Sequence, residues 1–220
     1  MREHAVEVSR TARYYTLGTG PADEAWVVAH GYGQLPRFFL RQFRPLERPG
    51  RLIVAPEGLS SFYLEDASGA HTRVGASWMT RENRLAEIDD YVRWLDTAYS
   101  DALAQAATPR PDRLVAFGFS QGCATIARWL AASAMLPTTR CDRLVLWGGG
   151  LPDDLDLDAS RAWLDGRLTL VCGTSDPWMT PERLARESER LRAHGIAAEI
   201  VTFDGGHTLD DGVLARLAEA

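Results

Sequence analysis

Six short apolar runs punctuate the chain: AWVVAH (25–30), RLIVAP (51–56), DRLVAFGF (112–119), DRLVLWG (142–148), RLTLVCG (167–173) and AEIVTF (198–203), with a weaker stretch from Ala12 to Leu17. Runs this short and almost continuously apolar predict strands covered on both faces. Between them the period changes. Leu85, Ile88, Val92, Leu95, Tyr99 and Leu103 recur at spacings of three and four, which predicts a helix with one buried face, and Thr80 is placed to cap its start. Thr180-Pro181 predicts the N-cap and first turn of another helix, and His194-Gly195 its end. A third is expected directly after Ser120. Strand and helix alternate in the βαβ rhythm of a mostly parallel sheet with helices on both faces, an α/β three-layer sandwich. From Glu57 to Ser77 no element is clear, and loops of that length in compact folds are often functional.

Composition narrows the classes. The 220 residues are enough to bury about 70% of the unfolded chain's surface in one core, and no repeat or linker divides them, so one domain over 1–220 is expected. The net charge of −6 and the lack of a basic cluster exclude a typical nucleic-acid binder. No apolar run approaches the 18 or so residues of a membrane span. Every one of the 24 basic residues is Arg, first of all the mark of a coding bias. Cys123, Cys141 and Cys172 are odd in number and lack metal-ligand spacing, so reduced buried thiols are expected. The opening MREHAVEVSR has no apolar core of a secretion signal, which points to a cytoplasmic address.

The strongest chemical signal is Gly118-Phe119-Ser120-Gln121-Gly122, between a clear strand and the helical stretch CATIARWLAASAM. A G-x-S-x-G in that context predicts a sharp strand-to-helix turn that lifts the serine hydroxyl from the carboxyl edge of the sheet. A hydroxyl is a weak nucleophile and needs a base, oriented in turn by a carboxylate. Two histidines follow Ser120. His194 ends a helix, where a histidine favours the dipole, whereas His207 follows the last strand in the Gly-rich loop FDGGHTLDD and is the expected base. Asp176, after RLTLV, is the expected acid, with Asp153 and Asp154 in the preceding loop as rivals. Asp204 is close enough to His207 to support its turn, and Asp142 and Asp165 precede strands at the wrong edge. Donors for an oxyanion are expected from the amides of Gln121, at a helix N-terminus, and of Tyr32, in the turn His30-Gly31-Tyr32-Gly33-Gln34. His30 is expected to brace that loop.

Together HGYGQ (30–34), PEG (56–58), SWM (77–79), GFSQG (118–122), GTSDPWM (173–179) and GGHTL (205–209) resemble the phospholipase/carboxylesterase/thioesterase branch of the α/β-hydrolase fold, over nearly the whole chain. The resemblance implies a Ser120–Asp176–His207 triad with oxyanion amides on Tyr32 and Gln121. It implies hydrolysis of small carboxylic esters without metal or cofactor, thioester or lysophospholipid cleavage being the alternatives within the family. Relatives that act on lipidated proteins often read HGLGD and GFSQGG. Here the loop reads HGYGQ and Cys123 follows the elbow, changes that bear on pocket shape.

Ser120 and Asp176 stand 56 residues apart, which leaves no room for a large cap. An open cleft walled by Tyr32, Trp78, Met79 and Trp178, with further apolar area from Phe62, Tyr63 and Leu151, is expected to take an uncharged acyl or alkyl group, of short to medium chain length. A monomer and a homodimer are equally compatible with the sequence. The reading from another class is a ligand-binding protein on a hydrolase fold.

Overall fold

The computed structural model describes residues 1–65, 72–135 and 141–219. Its strands are β1 (Tyr14–Leu17), β2 (Glu24–Ala29), β3 (Arg51–Pro56), β4 (Ser60–Leu64), β5 (Arg73–Ser77), β6 (Arg113–Phe119), β7 (Arg143–Trp147), β8 (Leu168–Gly173) and β9 (Ala198–Phe203). Seven form one sheet in the order β1-β3-β2-β6-β7-β8-β9. β1 runs antiparallel to β3, and every other pairing in that sheet is parallel. The helices are α1 (Pro36–Phe39), which runs into a 3₁₀ turn at Leu40–Leu46, then α2 (Arg84–Gln105), α3 (Gln121–Ala132), α4 (Leu157–Leu164), α5 (Pro181–Ala193) and α6 (Asp211–Glu219).

The apolar runs are strands because both faces are covered. Side chains alternate across a strand, so β2 sends Ala25, Val27 and Ala29 into one core and Trp26 and Val28 into the other, all fully buried. The first core is closed by Leu95 and Tyr99 of α2, Ile126 and Trp129 of α3, Leu164 of α4 and Leu191 of α5. The second is closed by Phe39 of α1, Phe43 and Leu46 of the 3₁₀ turn and Leu214 and Leu217 of α6. Two helical layers thus sandwich the sheet. Between Ser120 and Asp176 the chain makes α3, β7, α4 and β8, with no large cap among the described residues. Among those residues, no helix is long and apolar enough to cross a membrane.

Two local expectations are corrected. α2 starts at Arg84 behind Asn83, which is left-handed at φ 49, and Thr80 does not cap it. Thr80 instead directs its N–H (2.7 Å) and hydroxyl (3.1 Å) to the Glu87 carboxylate on the first turn. The stretch from Glu57 to Ser77 contains a hairpin, β4 paired antiparallel with β5. A two-stranded hairpin is marginal alone. This one is docked by Gly33 N–H on Ala76 O (2.9 Å) and Ala76 N–H on Gln34 O (3.2 Å), contacts distant in sequence. α5 follows its punctuation: the Thr180 hydroxyl accepts from the Arg183 N–H, and Gly195 closes the helix at φ 66. All three cysteines are free and buried.

At the edge of the sheet opposite the Ser120 loop, Glu24 and Arg51 are buried together. Arg51 Nε donates to Glu24 Oε2 (2.7 Å), and its other nitrogens donate to the carbonyls of Leu46 and Ala218. Arg48 also donates to Glu24 Oε2 (2.7 Å), so losing Arg51 leaves the carboxylate with a cation but takes the donor from two buried carbonyls. Arg51→Met is expected to lower the unfolding free energy by about 2 kcal/mol, read from the urea midpoint, with activity per folded molecule retained.

Candidate active site

The chain passes from β2 to β3 on one side of the sheet and returns through β6 on the other, so the carboxyl ends of β2 and β6 flank a topological switch point, where open α/β sheets bind ligands. The pairing sets Ala29 opposite Gly118. Loops after β2, β6, β7, β8 and β9 converge there.

Ser120 follows β6 at φ 53 and ψ −116, a region that non-glycine residues avoid at a cost of roughly 1–3 kcal/mol. Neighbours on both sides impose the turn. Its N–H is held by Trp147 O (2.9 Å), and its carbonyl accepts from the Cys123 N–H (3.0 Å). A Cβ at Gly122 would lie 2.1 Å from Ala29 O, and one at Gly118 2.5 Å from Gly122 O, so α3 approaches β2 and β6 only through glycine. The Ser120 hydroxyl does not cap α3.

The structure brings His207 and Asp176 together. His207 Nδ1 lies 2.7 Å from Asp176 Oδ2. Beside a carboxylate that nitrogen carries the proton, which leaves Nε2 as the acceptor. Asp176 is only 3% exposed. Desolvation favours its neutral form, but the Met179 N–H (3.0 Å), His207 and the Trp178 N–H (2.8 Å) together outweigh it and hold the carboxyl below its ordinary range. The imidazole sits against Gly148, where a Cβ would come within 2.9 Å of Cε1, and its ring centroid is 4.8 Å from that of Phe119. Trp147 ties this corner together: its carbonyl holds Ser120 and its indole N–H donates to Thr208 O (2.8 Å). No hydrogen bond joins Ser120 to His207 among the described residues; what they share is the Phe119 and Gly148–Gly149 surroundings.

The rivals lie elsewhere. Asp154 is bound by Arg128 (2.6 Å) and Arg84 (3.0 Å), which pull its pKa down to about 2, the Arg128 hydrogen bond foremost. His194 pairs with Asp158 on α4 (2.8 Å). Asp153 lines the cleft described below, beside Gly148–Gly150 of the same loop. Asp142 accepts the Leu114 N–H and Asp165 the Ala197 N–H, both at the opposite edge of the sheet.

In the turn after β2, the N–H of Gly31 goes to Gln34 Oε1, that of Gly33 to Ala76 O and that of Gln34 to Gly31 O. Among the described residues the Tyr32 N–H is left without a partner in that turn, as the N–H of Gln121 is at the start of α3. The Gln121 side chain, which sequence reasoning left without a role, accepts from the Trp78 N–H (3.1 Å) and donates to Met79 O (2.9 Å), clamping the segment after β5. His30 braces its loop as expected, donating from Nδ1 to Gly31 O (2.8 Å) and accepting the Gly58 N–H at Nε2 (3.0 Å).

One expected wall is corrected. Trp78 is 1% exposed, with its indole N–H on His30 O (2.8 Å), and so lies in the core instead of facing a ligand. Met79 is half-buried against that core, and Leu151 is buried. Tyr32, 61% exposed, stacks on Phe62 (5.0 Å), and Trp178 is 65% exposed. An open cleft of about 630 Å³ runs from Gly148–Gly150 past Trp178 and Met179 to Arg183 and Arg186 on α5. The sequence reading passed over these arginines, although the spacing 183, 186, 190 already set them on one helical face.

No family model matches the chain, and no curated protein matches it in sequence. Solved structures do match in fold. Acyl-protein thioesterase 2 from Zea mays superposes with a TM-score of 0.68 at 15% identity, over 95% of this chain and 97% of that one. A carboxylesterase from Mesorhizobium loti gives 0.65 at 17% identity, over 94% and 93%. Esterase PE8 gives 0.64 at 20% identity, over 96% and 97%. The chain has the α/β-hydrolase fold.

Burial pushes His30 down to about 4, against the smaller pull of the Gly31 carbonyl and the Glu57 charge. An unfolded histidine protonates near 6.5. Between these values the unfolded state binds the extra proton, so stability is expected to fall as pH drops from about 6.5 through about 4, by up to roughly 3 kcal/mol. Urea unfolding at several pH values should show a shallower slope for His30→Asn; equal slopes would assign the acid sensitivity to other groups.

Proposed function

We propose that the protein is a serine hydrolase that cleaves carboxylic esters of short to medium acyl chains through an acyl-enzyme. The observation that carries this reading is the Asp176–His207 pair, 2.7 Å apart, at the same sheet edge as Ser120, whose backbone is held at φ 53. Support comes from the two amides without partners, Tyr32 and Gln121, and from neighbours of the same fold that are named esterases and a thioesterase.

In the proposed cycle Ser120 Oγ bonds to the ester carbonyl carbon while His207 Nε2 takes its proton, and the carbonyl π pair moves onto oxygen. The amides of Tyr32 and Gln121 receive that oxyanion, each such donor being worth roughly 3 kcal/mol. Asp176 stays ionised and stabilises the imidazolium. When the intermediate collapses, the C–O bond to the alcohol breaks and the leaving oxygen takes the proton from Nε2. Water then attacks the acyl-enzyme, giving its proton to Nε2, and Ser120 Oγ leaves with that proton. The Ser120–His207 contact is one that bound substrate draws together, as catalytic hydrogen bonds often do. With no large cap over it, the cleft suits short chains better than long ones.

Ser120→Ala is expected to lower turnover of p-nitrophenyl esters by three or more orders of magnitude and to abolish fluorophosphonate labelling, with the fold intact by circular dichroism. Wild-type turnover that survives this change would end the assignment. A panel from acetate to palmitate should peak at short to medium length, and a thioester panel run beside it separates the thioesterase alternative. Asp176→Asn is expected to cost about 10⁴-fold; a larger loss from Asp153→Asn would move the acid to the loop after β7. A chain that binds esters, turns none over and takes no label would be a binding protein on this fold.

A further inference from the structure

The cleft beside Ser120 does not have the uncharged walls that the sequence suggests. It begins on bare backbone: a Cβ at Gly149 would lie 2.9 Å from Ser120 O, and one at Gly148 2.9 Å from the His207 ring. From there it reaches Trp178 and three arginines of α5, at 183, 186 and 190. One of these is neutralised. Arg190 donates to both Glu187 oxygens (2.9 Å) and to Leu151 O, while Glu187 Oε1 also accepts the Leu151 N–H. The other two keep their charge on the cleft side. Arg183 donates to Trp178 O (2.7 Å), an uncharged acceptor that fixes the guanidinium at the rim. Arg186 makes no hydrogen bond among the described residues; its charged neighbour is Glu182, one turn earlier on the fully exposed side. The remaining acid of the cleft is Asp153.

Two guanidinium groups three residues apart on one helix face repel each other, and the chain as a whole is acidic, at −6. Arginines along a cleft that starts at Gly148 and Gly149, the residues packed on Ser120 and His207, concentrate anions there in an acidic protein, and guanidinium forks match carboxylate and phosphate oxygens in pairs. We propose that the ester substrate carries an anionic group, a carboxylate or a phosphate, that docks on Arg183 and Arg186 while its scissile carbonyl lies at Ser120. This rests on the serine-hydrolase reading and names the substrate class of that same site.

The test compares matched esters with wild type, Arg186→Gln and Arg186→Glu. Mono-p-nitrophenyl glutarate against p-nitrophenyl pentanoate places the charge on the acyl side; 4-(pentanoyloxy)benzoate against phenyl pentanoate places it on the alcohol side. In at least one pair the anionic-to-neutral ratio of kcat/KM is expected to fall at least fivefold in Arg186→Gln and further in Arg186→Glu. The wild-type ratio should also shrink near 1 M salt, where the screening length is roughly 3 Å. Competition by glutarate and by inorganic phosphate ranks the two anions. Ratios that match across the three proteins in both pairs, with the neutral esters hydrolysed, overturn the anion site and leave the hydrolase standing. Wild type inert toward all four esters ends the hydrolase reading, and calorimetric titration with glutarate then decides this one. Binding weakened at least fivefold in Arg186→Glu supports it, and absent or unchanged binding overturns it.

Discussion

The close approach of α3 to the paired strands β2 and β6 is the constraint from which the rest of the carboxyl edge follows. With a Cβ at Gly122 only 2.1 Å from Ala29 O, the helix can start there only through glycine, and the chain must turn from strand to helix within one residue. Ser120 takes that turn at φ 53. The strain persists because the Trp147 carbonyl and the Cys123 amide hold the backbone of Ser120 from both sides. A serine that capped its own helix in an ordinary turn would have no reason to present its hydroxyl at the sheet edge.

Around this turn the loops are fixed by a small set of buried polar groups, each linking segments far apart in sequence. His30 joins the β2 loop to Gly58, Gln121 holds Trp78 and Met79, Trp147 reaches Thr208, and Asp176 binds two amides of its own loop and His207. Because buried polar groups are costly when unpaired, these bonds set the loops within narrow limits. The same accounting sets the Tyr32 amide apart: the amides of Gly31, Gly33 and Gln34 are bonded, and that of Tyr32 has no partner among the described residues.

Electrostatics divides the site into two parts. Next to Ser120 the groups are dipoles and one buried carboxylate, kept ionised by the amides of Met179 and Trp178 and by His207. Along the cleft α5 sets three arginines on an acidic protein, one of them cancelled by Glu187. The aromatic surface foreseen there is reduced, since Trp78 turns inward to His30 and Trp178 stands exposed at the rim.

The sequence by itself determined the strands of the large sheet and named Ser120, Asp176 and His207 as candidates for its chemistry. Continuous apolar runs are legible because burial on both faces leaves no polar position, and the G-x-S-x-G turn, Asp176 and His207 are legible because strand ends are marked by glycine and polar residues at fixed places. What escaped it has a common physical cause. In the β4–β5 hairpin only β4 alternates in burial, and the pair is docked by Gly33 and Gln34, while α1, α4 and α6 are too short to carry a firm period of their own. Whether Trp78 faces solvent or His30 depends on a neighbour 48 residues away, and which arginines of α5 line the cleft depends on the loop after β7 that forms its other wall. Only the tertiary structure decided these, because burial and the walls of a cleft belong to contacts between segments and leave no local pattern in either one.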